Sequence, residues 1–558
     1  MTSGLKPRSG GQILVEQLRL QGVTRAYGVP GESYLAVLDA LNDAPEIHFT
    51  ICRQEGGAAM MAEAEGKLTG APGICFVTRG PGATNASAGL HIAAQDSTPM
   101  ILFIGQVARD QMEREAFQEI DYRRMFGQQA KWVAQIDDAA RIPEFISRAF
   151  QTATSGRPGP VVLALPEDML TDVVEVADAA PYQRVETHPG GAELARLGAL
   201  LAEAERPFLL VGGSAWDLQA TRDLAAFADA QALPVGAAFR CQDLLDNGHP
   251  NYAGDVGIGI NPKLQARIQA ADLLVVVGAR LGEITTGGYT LLSVPRPAMK
   301  LVHVHPGAEE LGRVYQPELA IQASPRAFFA AARGLNAGDV SGRAAAVVAA
   351  HGDYLDWNAP VGIQGPLQMA EIVAWLRDHL PADAILTNGA GNYSVWLHRF
   401  FRYGDYRSQL GPTSGSMGYG LPASIAAKTV HPERPAVCFA GDGCFQMTGQ
   451  ELATAVQYGL NVIVLVINNG MYGTIRMHQE RHYPGRVLGT ELHNPDFAAL
   501  ARAHGAFGAV VERTEDFAAA FEAAEDSGKP ALLELRLDPE AITPRQSLSE
   551  IRAAALKA

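Results

Sequence analysis

A chain of 558 residues is too long for one hydrophobic core, and its length predicts three or four domains, of which three is the reading adopted. With 47% hydrophobic and 19% charged residues the composition is that of an ordinary soluble globular protein, and the formal net charge of -15 disfavours nucleic acid and anionic membranes as partners. The five cysteines, Cys52, Cys75, Cys241, Cys438 and Cys444, are odd in number and lack CxxC spacing, so neither a disulfide framework nor a zinc site is indicated. The N-terminus, MTSGLKPRSGGQILVEQL, has no signal-peptide apolar core and no segment reaches 18 uninterrupted apolar residues. A reducing, cytoplasmic location is expected.

In chain order, helical spacing over Gly10 to Gln21 is followed by a short strand, Arg25 to Val29, stopped by Pro30-Gly31. Tyr34 to Asn42 is helical again. His48 to Cys52 is a strand running through Arg53-Gln54-Glu55 into a small-residue helix, Gly56 to Thr69. Gly73 to Thr78 is a strand ending in RGPGATN, Met100 to Ile104 is another, and Ser155 to Met169 closes the domain around a buried strand, Val161 to Leu165. This alternation predicts an α/β fold of doubly wound domains with mostly parallel sheets, the first over residues 8–175.

Asp172 to Gly191 reads as a linker. A central α/β domain, 190–335, has strands at Phe208 to Val211, Leu233 to Gly236, Leu273 to Val277 and Leu301 to Val304. Its VGG at Val211 and VGAR at Val277 lack G-x-G-x-x-G spacing, which favours a structural spacer over a dinucleotide site. An Ala-rich stretch, Arg326 to Ala350, crosses into a third domain, 360–540, beginning near Pro366. The first and third domains share the same alternation and similar length.

The chemistry-bearing stretch is Pro435 to Tyr472. An apolar run, Ala436 to Ala440, stops at Gly441-Asp442-Gly443. Gln446 to Tyr458 has helical spacing, and Asn461 to Ile467 is a second apolar run ending in Asn468-Asn469. In such a strand–helix–strand unit Asp442 and Asn469 emerge at the same sheet edge, where open α/β sheets bind ligands. A carboxylate, an amide oxygen and a backbone carbonyl after Asn469 suit a hard cation that keeps its other positions for phosphate and water. The flanking glycines admit phosphate to backbone N–H groups. The stretch predicts a site for a magnesium diphosphate.

A GDG triplet separated from NN by the 24 residues Cys444 to Ile467 resembles the signature of thiamine diphosphate enzymes. The resemblance extends to RQEGGAAMMAEAEGKLTG with TRGPGATN, AFQEID at Ala116, SGRPGPVVLALPEDM, and GSMGYGLPASIAA at Gly415. In this order they make the chain similar to the thiamine diphosphate-dependent 2-oxo acid decarboxylases and carboligases, most of all to the acetolactate synthase large subunits. The resemblance implies pyrimidine-binding, central and diphosphate-binding domains in that order. It further implies a homodimer or homotetramer with the active site between subunits.

Carried over residue by residue, Asp442, Asn469 and the main-chain oxygen of Met471 become the Mg2+ ligands. Gly391, Asn392, Ser416, Gly441, Gly443, Cys444, Tyr472 and Gly473 join them around thiamine diphosphate. Glu55, which by itself could be no more than an acid favoured at a helix start, matches the acid that hydrogen-bonds the aminopyrimidine N1′ and promotes loss of the C2 proton. Met417 matches the apolar residue that props the cofactor into its bent shape, although methionine also fills ordinary cores. Gln118 matches a glutamine facing the reacting centre, the alternative being a solvated helix residue. The His-His pair of simple decarboxylases is not matched, which favours carboligation of a 2-oxo acid such as pyruvate. The rivals are a non-ligating decarboxylase or lyase and a catalytically silent cofactor-binding subunit.

Several positions depart from the synthases. Their Lys is Gln129, their pocket Trp falls at His478, their Ser of TSGPGATN is Arg79, and their Gln-His is replaced at Gly391-Asn392. Arg79 and His478 are open between recognising a substrate carboxylate and lying solvated on the surface. The synthases' HIDID, associated with bound FAD, reads His303-Val304-His305 here, which puts FAD in doubt.

Overall fold

The computed structural model describes residues 5–336 and 338–557. The first residues of the leader, and position 337 in the Ala-rich crossing, lie outside the described residues. Among the described residues no helix is long and apolar enough to cross a membrane. The chain forms two compact units, one reaching from the N-terminus to Val185, the other holding most of the remainder.

The first unit is built on six parallel strands: β1 (Arg25–Gly28), β2 (His48–Ile51), β3 (Gly73–Val77), β4 (Met100–Gln106), β5 (Trp132–Gln135) and β6 (Pro160–Pro166). Their order across the sheet is β2-β1-β3-β4-β6-β5. The central strands β3, β4 and β6 are buried at every residue, as expected of a parallel sheet covered on both faces. Two helices carry the chemistry-bearing side chains to its edge. α1 (Glu55–Thr69) starts where the Gln54 side chain accepts from Gly57 N and stops at left-handed Gly70. α2 (Pro81–Asp96) has Pro81 at its first position, where the missing N–H costs nothing.

The second unit carries two sheets. The central one has strands β7 (Pro207–Val211), β8 (Val235–Ala238), β9 (Tyr252–Val256), β10 (Leu273–Val277), β11 (Lys300–Val304) and β12 (Leu319–Ile321). Their order is β9-β8-β7-β10-β11-β12. The C-terminal one has β13 (Ile385–Asn388), β14 (Gln409–Leu410), β15 (Ala436–Gly441), β16 (Ile463–Asn468), β17 (Phe507–Val511) and β18 (Ala531–Arg536), in the order β14-β13-β15-β16-β18-β17. That order repeats the first unit's sheet strand for strand, in keeping with the shared alternation of the two sequences. The two sheets of the second unit are tied by buried polar contacts. Gln242 N donates to Gln409 Oε1 (2.8 Å), and Arg240 Nη2 donates to Gly389 O (2.7 Å).

The motif's geometry arises as the spacing implied. β15 and β16 are parallel neighbours with Gly441 opposite Ile467, so Asp442 and Asn469 leave the sheet at one edge. The connection between them is not the single helix expected over Gln446 to Tyr458. A short helix, Asp442–Phe445, follows the strand directly, and a 3-10 turn at Gly449–Glu451 precedes a second helix, Leu452–Gln457. The interruption is explained by Thr448, whose hydroxyl donates to Gly418 O (2.6 Å) and so ties the segment to the loop before GYGLPA.

Candidate active site

At the carboxyl ends of β13, β15 and β16 the second unit encloses a cavity of about 240 Å³. It is lined by Gly391, Asn392, Met417, Gly441, Asp442, Gly443, Cys444, Asn469, Met471, Tyr472 and Gly473, so all the proposed cofactor-binding residues of this unit border it except Ser416. Ser416 instead meets Ser414, Oγ to Oγ, at 3.1 Å. Met417 packs against the apolar core of the sheet and lines the cavity as well. The glycines are sterically required: a Cβ at Gly443 would stand 2.5 Å from the Tyr472 ring, and one at Gly441 2.9 Å from the Tyr393 ring.

Asp442 is almost wholly buried, at 3% exposure, yet no cationic side chain lies within ion-pair distance among the described residues. Its Oδ1 accepts from Gly443 N (2.8 Å), and its Oδ2 accepts from Gly470 N (2.9 Å) and Asn494 Nδ2 (2.8 Å). Burial pushes its carboxyl above the usual range, opposed by these hydrogen bonds. Asn494 also donates to Asn468 Oδ1 (2.8 Å), and Asn468 in turn donates to Glu534 Oε1 (2.8 Å). A buried carboxylate beside Asn469 and Met471, with neutral partners only, fits a divalent cation: among the described residues no cationic side chain supplies the balancing charge.

Sequence reasoning missed three residues here, two that line the cavity, Tyr393 and Thr474, and one that holds Asp442. The Tyr393 hydroxyl accepts from Gly389 N (3.0 Å) and meets Cys444 Sγ (3.1 Å), which also accepts from Gly418 N (3.1 Å). Cys444 thus joins three loops of the cavity. Thr474 Oγ1 accepts from Asn392 N (2.9 Å) and pairs with Asn392 Oδ1 (3.0 Å). Asn494 is the third. Tyr393 lies 51 residues from Cys444, Thr474 82 from Asn392 and Asn494 52 from Asp442, with no periodic relation, so no local signal marked these contacts.

In the first unit Glu55 opens α1, half-buried, and its Oε2 accepts from Asn85 Nδ2 (2.9 Å) on α2. Gly82 admits it: a Cβ there would lie 3.3 Å from Glu55 Oε1. Two residues earlier, at the N-cap of α2, Gly80 is packed so closely on Gln118 that a Cβ would stand 2.7 Å from Gln118 Cβ. Glu55 and Gln118 therefore flank the start of the same helix. Gln118 is not a solvated helix residue: it lies half-buried in a loop, with φ of 66°.

Arg79 and His478 resolve differently. Arg79 is buried and held by Glu167 (2.8 Å), with Glu32 at 3.7 Å, so it is no solvated surface residue. His478 is exposed on helix α3 (Gly473–His482), stacked on His482, and its imidazole is held below the usual range by partial burial, Arg481 and His482. Gln129, the third departure, is half-buried just before β5.

In the central sheet the two strands at the topological switch point, β7 and β10, end in turns packed against each other. Trp216 Nε1 donates to Gly212 O (2.9 Å), and a Cβ at Gly213 would meet Gly278 O at 2.1 Å. His303 and His305 are buried, His303 Nε2 lying 2.9 Å from Ala279 O.

Against known families, the N-terminal TPP binding domain of thiamine pyrophosphate enzymes matches residues 8–125, the central domain 194–332, and the C-terminal TPP binding domain 389–535. The chain belongs to the thiamine pyrophosphate enzyme family. Thiamine pyrophosphate is thiamine diphosphate under its older name. Among relatives of this family member, the acetolactate synthase isozyme 2 large subunit of Escherichia coli is 32% identical over 95% of this chain and 96% of its own length. The acetolactate synthase large subunit of Corynebacterium glutamicum is 29% identical over 96% of this chain and 87% of its own. That of Lactococcus lactis is 30% identical over 90% and 88%. The chain is thus a thiamine diphosphate-dependent enzyme of the acetolactate synthase type, with the three α/β domains of its family.

Proposed function

We propose that this enzyme is a magnesium-dependent carboligase that decarboxylates a 2-oxo acid such as pyruvate and joins the two-carbon unit to an acceptor carbonyl. The observation that carries the reading is Asp442, a buried carboxylate without a cationic neighbour, opening beside Asn469 and Met471 onto a cavity walled by glycines. Asp442, Asn469 and the Met471 carbonyl would hold Mg2+. Gly391, Asn392, Ser416, Gly441, Gly443, Cys444, Tyr472 and Gly473 would border the diphosphate, and Met417 would support the cofactor from the apolar side.

Bound thiamine diphosphate supplies the carbon nucleophile. Glu55 offers the acid for its N1′ nitrogen, and Asn85 holds one carboxyl oxygen so that the other stays free for that contact. Gln118 offers a neutral amide, which can orient an acceptor carbonyl without delivering a proton to the reacting carbon. A homodimer or homotetramer with the site between subunits, as the family resemblance implies, is part of the proposal. A cytoplasmic setting suits the five free cysteines. The test is turnover of a panel of 2-oxo acids by the purified protein with Mg2+ and thiamine diphosphate, with product identification. Consumption of no 2-oxo acid, or release of aldehyde alone, would refute it.

A further inference from the structure

Gln118 has a backbone that a side-chain-bearing residue adopts only when its surroundings hold it there. Its φ is 66°, and in the same loop Glu113 and Glu115 have φ of 60° and 55°. The holds are visible. Glu119 Oε1 accepts from Glu113 N (2.7 Å) and its Oε2 from Ala116 N (3.0 Å), while Gln106 Nε2 donates to Ile120 O (2.9 Å). At the residue preceding Gln118, Arg79 Nε donates to Phe117 O (3.3 Å). Phe117 itself is 74% exposed and cannot anchor the loop by burying its ring within this unit.

Arg79 is well fixed for this task and unavailable for another. Its side chain is 8% exposed, Nη1 donates to Glu167 Oε2 at 2.8 Å, and Nη2 faces Glu32 Oε1 at 3.7 Å. Two carboxylates already answer its charge, so a substrate carboxylate would have to displace them. Arg79 also directly precedes Gly80, whose backbone packs on Gln118 and whose N–H donates to the Tyr122 hydroxyl (2.9 Å). The Arg79 side chain thus joins β6's end, through Glu167, to the peptide that precedes Gln118, while the next residue, Gly80, packs on Gln118 through its backbone.

We propose that Arg79 is a positioning residue that sets Gln118 and through it the division of product between ligation and protonation. The inference rests on the reading of Gln118 as an acceptor-orienting residue. A lysine cannot replace the guanidinium, because one ammonium on a flexible stem does not reproduce the fork that reaches Phe117 O and Glu167 together.

Two measurements test it. In the full-length protein without metal or cofactor, amide hydrogen exchange over residues 113–120 should rise roughly tenfold in Arg79→Met and in Arg79→Lys, the loss expected of one charge-assisted hydrogen bond. Glu167→Gln, which keeps the shape, should raise it less. In the holoenzyme given pyruvate, Arg79→Met should lower the ratio of ligated product to aldehyde, as should Gln118→Ala. The double variant should match Gln118→Ala alone, because Arg79 acts through Gln118. Unchanged exchange in both Arg79 variants, wild-type behaviour of Arg79→Lys, or multiplying effects in the double variant would overturn the inference. If Gln118→Ala leaves the product ratio untouched, the reading of Gln118 falls and the inference with it. If pyruvate is not consumed, the proposed substrate falls, and the exchange arm by itself decides whether Arg79 holds the loop.

Discussion

In the proposed function Asp442 concentrates the chemistry of the second unit in one side chain. Three neutral donors hold its oxygens and none neutralises it, so Asp442→Asn should preserve the fold while abolishing magnesium-dependent retention of thiamine diphosphate. Titration calorimetry with and without Mg2+ reads this directly; wild-type affinity in the variant would displace the metal site. Glu55→Gln is expected to bind thiamine diphosphate normally, since the change is isosteric and remote from the diphosphate motif. Exchange of the cofactor's C2 proton should nevertheless slow by roughly 10²–10⁴-fold, the usual cost of losing a general acid–base group. NMR of exchange in deuterated buffer checks it, and an unchanged rate would leave Glu55 a helix-opening acid. The positions of Asp442, Asn469 and Glu55 were legible because each follows a strand or opens a helix whose pattern is local, while the role proposed for Glu55 came from the family resemblance alone. Asn494 was not, since it reaches Asp442 from 52 residues further on, through a loop with no period of its own. The ion pair of Arg79 was hidden in the same way, because Glu167 lies 88 residues away.

Among the elements, α3 runs from the cavity to the C-terminal helix, α4 (Leu548–Lys557). Met477, Ile542, Leu548 and Ile551 form their apolar seam, and Ile542 also lines the cavity. Beside the seam, buried Glu480 pairs with Arg552 and Arg476, and Gly485 N donates to it; chiefly through Arg552 these hold its carboxyl down at about 2. Because that value lies below the ordinary 4.5, folding keeps Glu480 deprotonated where the unfolded chain would take a proton. The pairing therefore contributes fully above about pH 4.5 and is lost as pH falls towards about 2. Limited proteolysis within Leu548–Lys557 should rise over that interval in the native chain. In Glu480→Gln cleavage should be higher throughout and flat with pH; a pH response equal to that of the native chain would contradict the assignment. Most long buried strands were readable from runs of apolar residues, but β13, β17 and β18 of the C-terminal sheet were not assigned, although β18 is buried at five of its six residues. Strands β5, β9 and β12 were not readable: WVAQ and LAI are short and half-exposed, and YAGDV carries Gly254 and Asp255, so their pairing is decided by neighbours already in place.

Across the chain, two sheets share one strand order; the first unit's carries Glu55 and Gln118 beside it, and the C-terminal one borders the cavity proposed to take the metal and diphosphate. The domain pattern was legible because strand and helix alternate visibly. The joining of the central and C-terminal sheets into one unit was not, since it depends on single contacts such as Arg240 to Gly389 O. Sedimentation of the purified protein should show a dimer or tetramer as the active species, and an active monomer would refute the shared site. The most direct trial is to incubate the protein with pyruvate, Mg2+ and thiamine diphosphate and follow products by NMR. Acetolactate as the main product is the expected result; acetaldehyde as the dominant product, or untouched pyruvate beside consumption of a bulkier 2-oxo acid, would contradict it.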